Sequence, residues 1–218
     1  MRKKCSKSQS MTIFSSIAVE DAMMRYKAGQ SPVPAYFYCS RNAAEPERSD
    51  PASILASIVR QLSCLNNDLP VLAPVIDLYE RKGQSFKSSG LRLEESCKVI
   101  IQITEYYPMT TIFVDALDEV DSEKRQDLLD AFEEILRDSL GLVKIFLSSR
   151  DDQDIVCALE EYPSLYIASD RNAADIETFV KTETDTLVRK RRLLHKSPAQ
   201  EELKDLIIDK VSKGADGM

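Results

Sequence analysis

An excess of positive charge, histidine, paired cysteines and long apolar runs are absent or scarce in this chain, and each shortage closes a class of function. Of 218 residues, 36 are acidic and 29 basic, giving a formal net charge of −7. Such a balance provides no whole-chain electrostatic footprint for nucleic acid. The only histidine is His195, and the five cysteines (Cys5, Cys39, Cys64, Cys97, Cys157) are far apart with no CxxC pair. A structural zinc site needs a denser set of soft ligands. The cysteines therefore read as reduced, small hydrophobes of a cytoplasmic protein. No apolar stretch approaches the roughly eighteen residues that a membrane span requires. The basic start, MRKKCSKSQSM, lacks the apolar segment and small-residue cleavage site of a signal peptide. Internal repeats and low-complexity linkers are also missing.

What is there suits one globular domain with a substantial core: 43% of residues are hydrophobic and 30% charged. Four apolar, β-rich segments occur at 35–39 (AYFYC), 110–116 (TTIFVDA), 143–148 (VKIFLS) and 165–168 (LYIA). The middle two are nearly continuous hydrophobic runs, as expected of parallel strands covered on both faces. Helical patterns separate them. Asp50 as N-cap and Pro51 at the first position open a helix in which Ile54, Leu55, Ile58 and Leu62 recur at three and four residues. Asp121 or Ser122 opens another, striped by Leu128, Leu129, Phe132, Ile135 and Leu136. Residues 91–106 and 173–194 read the same way; 69–82 is weaker, interrupted by Pro70 and Pro74. Ser197-Pro198 marks a hinge into a last helix at 199–213. Strands alternating with helices predict an α/β fold with an open, mostly parallel sheet.

The run from Thr110 to Glu119, TTIFVDALDE, carries the chemistry. A buried strand ends in Asp115, and Asp118 and Glu119 follow in the turn. Ligands of open α/β sheets bind at the carboxyl ends of strands. A carboxylate there is placed to hold Mg²⁺ through water, while a neighbouring acid orients an attacking water. A plain alternative is an acidic cap for the following helix. An EF-hand is excluded, because Asp115, Asp118 and Asp121 are wrongly spaced and no central glycine occurs. The basic run 189–196 (RKRRLLHK) reads as a solvated helix face near a C-terminus.

A strand with DALDE followed by a strand ending in SSRD (148–151) resembles the NACHT branch of signal-transduction P-loop NTPases. The stretches SSIAVED (15–21), AYFYCSRNAAEPERSDP (35–51) and ILASIVRQLS (54–63) resemble its nephrocystin-3-like N-terminal subgroup, found in fungal proteins carrying ankyrin or other repeats. The likeness runs from about Thr12 nearly to the end. It implies a P-loop NTPase-like domain at 10–196, the start of a helical region at 197–218, and ATP or GTP with Mg²⁺ as cofactors. By position, Asp115 matches the magnesium aspartate, Asp118 and Glu119 the acids that handle water, and Arg150 an arginine that reads the terminal phosphate. A guanidinium offers a rigid fork of donors for that purpose. The bland reading of Arg150 is a surface residue paired with Asp151 or Asp152.

The chain departs from that family at the phosphate loop. Such a loop needs G-x-x-x-x-G-K-[ST], glycines for close backbone approach and lysine for charge. Here the GKT positions hold Ser10, Met11 and Thr12, and a further glycine position holds Ser8. Only Thr12 keeps a type able to touch Mg²⁺ and nucleotide. The core strand that precedes the loop in the family, lying between the SSR and LYIA strands, has only MRKKCSKSQ to supply it. Residues 1–9 are therefore expected to be irregular or loosely helical, and both ends read as truncated. The resemblance thus implies a nucleotide-binding signalling NTPase with impaired binding and hydrolysis, inactive as an enzyme in this copy. The alternative is a non-enzymatic interaction module or remnant of a larger repeat protein. Expected partners are nucleotide, bound weakly at best, and a second copy or a full-length relative, with neither nucleic acid nor membrane.

Overall fold

The computed structural model describes residues 8–65, 69–83, 90–166, 173–194, 197 and 199–214, with the side chains of 8–14, 173–176 and 213–214 left aside. The chain forms two compact units, one of residues 10–161 and one of 162–218 with 1–9. In the first, helix α1 (Ser8–Lys27) leads to strand β1 (Ala35–Tyr38), then helices α2 (Pro51–Leu62), α3 (Ala73–Gly83) and α4 (Leu93–Thr104). Strand β2 (Met109–Asp115), helix α5 (Arg125–Asp138), strand β3 (Leu142–Leu147) and helix α6 (Gln153–Ala158) complete it. The other unit holds α7 (Ala173–Arg189) and α8 (Gln200–Gly214), joined by an ion pair between Lys204 and Asp185 (2.7 Å).

The sheet is three-stranded and wholly parallel, in the order β1-β2-β3. The α/β expectation therefore holds. Register aligns Ala35 with Ile112 and Ile145, and Phe37 with Val114 and Leu147. Alternation puts these residues on one face, where they meet the core residues Ile54, Leu55, Ile58 and Leu62 of α2, Ile100 and Ile103 of α4, and Leu128 and Ile135 of α5. The opposite face carries Tyr36, Phe113 and Phe146 in one row. The Phe113 and Phe146 rings lie 5.6 Å apart. Val19, Met23 and Met24 of α1 line a groove of about 490 Å³ with Tyr36 and Tyr38.

Helix starts show how side chains set local structure. Asp50 caps α2 as expected, its Oδ2 accepting from the N–H (3.1 Å) and hydroxyl (3.0 Å) of Ser53, with Pro51 behind it. Pro74 does not interrupt α3 but sits buried in its first turn, where a missing N–H costs nothing. Helix α5 begins at Arg125 rather than at 122, since Asp121 Oδ1 accepts from Glu123 N and Asp121 O from Lys124 N, closing a turn first. Four of its five expected stripe residues are buried, while Leu136 is exposed. Gly141, which enters β3, is required by a close approach: a Cβ there would stand 2.7 Å from the Thr104 carbonyl oxygen.

Three expectations need correction. Strand β3 is parallel yet not covered on both faces; Leu142 and Phe146 are exposed on what is the edge strand of the sheet. At 165–168, Leu165 and Tyr166 form no strand and are exposed, while 167 and 168 lie outside the described residues. The basic run leaves the helix: α7 ends at Arg189, and Arg191 and Leu194 take left-handed backbone (φ 55° each), with 195 and 196 outside the described residues. Of the polar stretch 1–9, Ser8 and Gln9 open α1, and 1–7 lie outside the described residues.

Candidate functional site

Because all three strands run parallel, their carboxyl ends share one edge, and the polar residues gather there. β2 ends at Asp115, which is 3% exposed. Ala116 then adopts the left-handed conformation (φ 57°, ψ 53°), a cost of roughly 1 kcal/mol for an L-residue with a Cβ. It swings the chain into a short 3-10 turn, Leu117–Glu119, anchored by fully buried Leu117. Ser148, just past β3, stitches the bend. Its hydroxyl donates to Asp115 Oδ1 (2.5 Å) and accepts from Ala116 N (3.1 Å), while its carbonyl accepts from Leu117 N (2.8 Å).

Three arginines converge on the turn from three different elements. Arg150, after β3, ion-pairs through Nε with Asp118 Oδ2 (3.0 Å), and donates from its backbone N to Asp118 Oδ1 (3.2 Å) and from Nη2 to Glu119 Oε1 (2.7 Å). Arg41, after β1, donates from its backbone N to Glu119 Oε2 (3.2 Å) and from Nη2 to the carbonyls of Asp118 (2.8 Å) and Val120 (3.1 Å). Arg125, at the start of α5, donates from Nη2 to the same two carbonyls (2.8 and 3.3 Å). Its Nη1 ion-pairs with Asp154 (2.6 Å) and Asp152 (3.3 Å). Cys39 lies beneath, its backbone N donating to the Asp115 carbonyl (3.0 Å). Burial, with the Asp115 charge second, pushes its thiol up to about 12, so it stays protonated and is no nucleophile.

The structure thus brings four of the sequence-derived residues, Asp115, Asp118, Glu119 and Arg150, to one strand edge. Arg150 pairs with Asp118 and Glu119, as the bland surface reading did not foresee, and Asp152 belongs to Arg125 instead. The acids do not cap α5, whose N-cap is Lys124 with no side-chain bond. Thr12 falls within α1, and its side chain is not among those described. Sequence reasoning missed Arg41, Arg125 and Ser148, although Arg41 and Ser148 sit inside the runs SRN and SSRD.

Magnesium and nucleotide fit this arrangement poorly. Among the described residues no three His, Cys, Asp or Glu side chains converge as a metal cage. Both oxygens of Asp118 and both of Glu119 are already engaged by arginines, three by hydrogen bonds and Asp118 Oδ2 by an ion pair. On the phosphate side, positions 10–12 are plain helix, with Met11 where a lysine would stand. No magnesium or phosphate step follows from this geometry.

Parallel strands with a polar cluster at their carboxyl ends, backed by a helical layer, define an open α/β domain of the kind that places its site at that edge. The sequence model of the family described as Nephrocystin 3, N-terminal matches residues 10–150, a span holding every candidate residue above. The chain belongs to that family. No curated protein and no solved structure matches it. Among the described residues no helix is long and apolar enough to cross a membrane.

Proposed function

We propose that this chain is a NACHT-type signalling domain of the P-loop class whose nucleotide chemistry is silenced. The observation that carries this reading is the pairing of Arg150 with both Asp118 and Glu119, which occupies the acids that hydrolysis needs. Loss of the loop's glycines and lysine acts in the same direction. It removes several charge-assisted hydrogen bonds, each worth about 1.5–3 kcal/mol. Titration of the whole chain with fluorescent ATP and GTP in Mg²⁺ tests the reading. The expected result is no saturation in the micromolar range, and micromolar affinity for either nucleotide overturns it. A second reading, a non-enzymatic interaction module, is favoured by the uncovered sheet face at Leu142 and Phe146. Such a domain acts through surfaces offered to a second copy or a longer relative, and needs no turnover.

A further inference from the structure

A missing phosphate loop alone leaves the acidic side of a nucleotide site able to hold a cation. Here two of the three acids on that side, Asp118 and Glu119, are engaged as well. All four of their carboxylate oxygens have partners: Asp118 Oδ1 and Glu119 Oε1 accept hydrogen bonds from Arg150, Glu119 Oε2 accepts one from the backbone of Arg41, and Asp118 Oδ2 ion-pairs with Arg150 Nε. The turn itself is pinned by its carbonyls, since Asp118 O and Val120 O each accept from both Arg41 and Arg125. We infer that these three arginines form a lock in which Arg150 is the fixed counter-ion of Asp118 and Glu119 and withholds both carboxylates from a divalent cation.

The physical case is one of competition at contact distance. A cation approaching the pair must displace a guanidinium that touches both acids at 2.7 and 3.0 Å. The fork geometry makes this costly, because Nε and Nη2 are rigidly spaced and serve one acid each. Rotation of the turn to free a carboxylate is opposed by Arg125, which is 2% exposed and tied on its other side to Asp152 and Asp154. Arg41 and Arg125 therefore act as positioning residues, and Arg150 as the seal. The lock rests on the reading of these acids as the remnant of a nucleotide site.

The test is Mn²⁺ binding to the whole chain, followed by electron paramagnetic resonance with no nucleotide present. Wild type should take up Mn²⁺ weakly and without saturation. Arg150→Ala should bind it saturably and about tenfold or more tighter, since one positive charge is removed from contact with two negative ones. Asp118→Asn added to that variant should abolish the gain, and Arg150→Lys should stay closed because the charge is kept. Saturable binding by wild type, or unchanged binding in Arg150→Ala, overturns the lock. Should Arg150→Ala fail to fold, amide hydrogen exchange in wild type decides. The Glu119 and Val120 amides, which donate to Ala116 and Leu117 carbonyls, should exchange as slowly as those of β2, and rapid exchange there overturns the lock. Micromolar ATP binding sinks the silent-domain reading alone, whereas saturable Mn²⁺ binding by wild type sinks the lock even where ATP does not bind.

Discussion

Arg125 carries a full charge at 2% exposure, and its Nε has no hydrogen-bond partner. A buried guanidinium persists only where its other donors are well served, and here they reach two carbonyls and two carboxylates. Arg125→Met should therefore lower unfolding free energy by about 2–3 kcal/mol. This lies below the full cost of stranding a buried charge, because Asp152 and Asp154 are about half exposed and rehydrate. Urea denaturation gives the number, and a loss under about 0.5 kcal/mol would show that the residue holds nothing in place. Arg125 also shows why only part of the site is legible in the sequence. Asp115, Asp118 and Glu119 can be read because a hydrophobic run that turns acidic marks a strand's carboxyl end, and Arg150 through the resemblance of SSRD to the family pattern. Arg41, Arg125 and Ser148 act on carbonyls and a bend up to 79 residues away. Nothing local in a sequence marks a side chain whose partner is another segment's backbone.

Among the helices, α2 is the one whose start is most fully specified. The carboxyl of Asp50 is partly buried, which raises it, but the Ser53 N–H, the Ser53 hydroxyl and Lys124 outweigh that and hold it below its usual 3.8. A folded-state value below the unfolded one means that the cap contributes its full stability above pH 3.8 and loses it as pH falls through the folded value. Asp50→Ala should cost about 1 kcal/mol near neutrality. The gap between variant and wild type should narrow below about pH 4, as thermal melts across that range can show. A gap that stays constant down to pH 2.5 would mean that the carboxylate is not the capping group. Elements signalled this locally, such as α2 and β2, were readable to within a residue or so. Others depend on what lies beside them. The start of α5 is displaced by the Asp121 turn, and α7 stops at Arg189 although a helical pattern continues. β3 has the composition of a covered strand, but as the sheet's edge it leaves Leu142 and Phe146 exposed. Gly141 is required by the Thr104 carbonyl, which leaves no room for a Cβ.

A three-stranded sheet has two edges, and this molecule treats them differently. On β1, the outward N–H and C=O of Tyr36 are both met by the Gln61 side-chain amide (3.0 and 2.8 Å), which blunts that edge. On β3, Ser148 bonds toward β2 through its N–H and C=O, so alternation turns the backbone groups of Val143, Ile145 and Leu147 outward. These have no partner among the described residues. Beside them, Leu142 and Phe146 present apolar surface at 56% and 41% exposure, with only Lys144 to interrupt it. An unpaired edge flanked by exposed apolar side chains is a template for association. The chain should therefore associate in a concentration-dependent way through β3. Phe146→Glu, which charges that face, should reduce association seen by sedimentation or light scattering. It should cost no more than about 1.5 kcal/mol, the worth of the ring pair with Phe113. Gln61→Ala should act oppositely, exposing the Tyr36 backbone and raising association by opening a second edge. The two variants act at opposite sides of the sheet, so opposite shifts assign association to strand edges. If neither variant changes it, some other surface is responsible and β3 is inert.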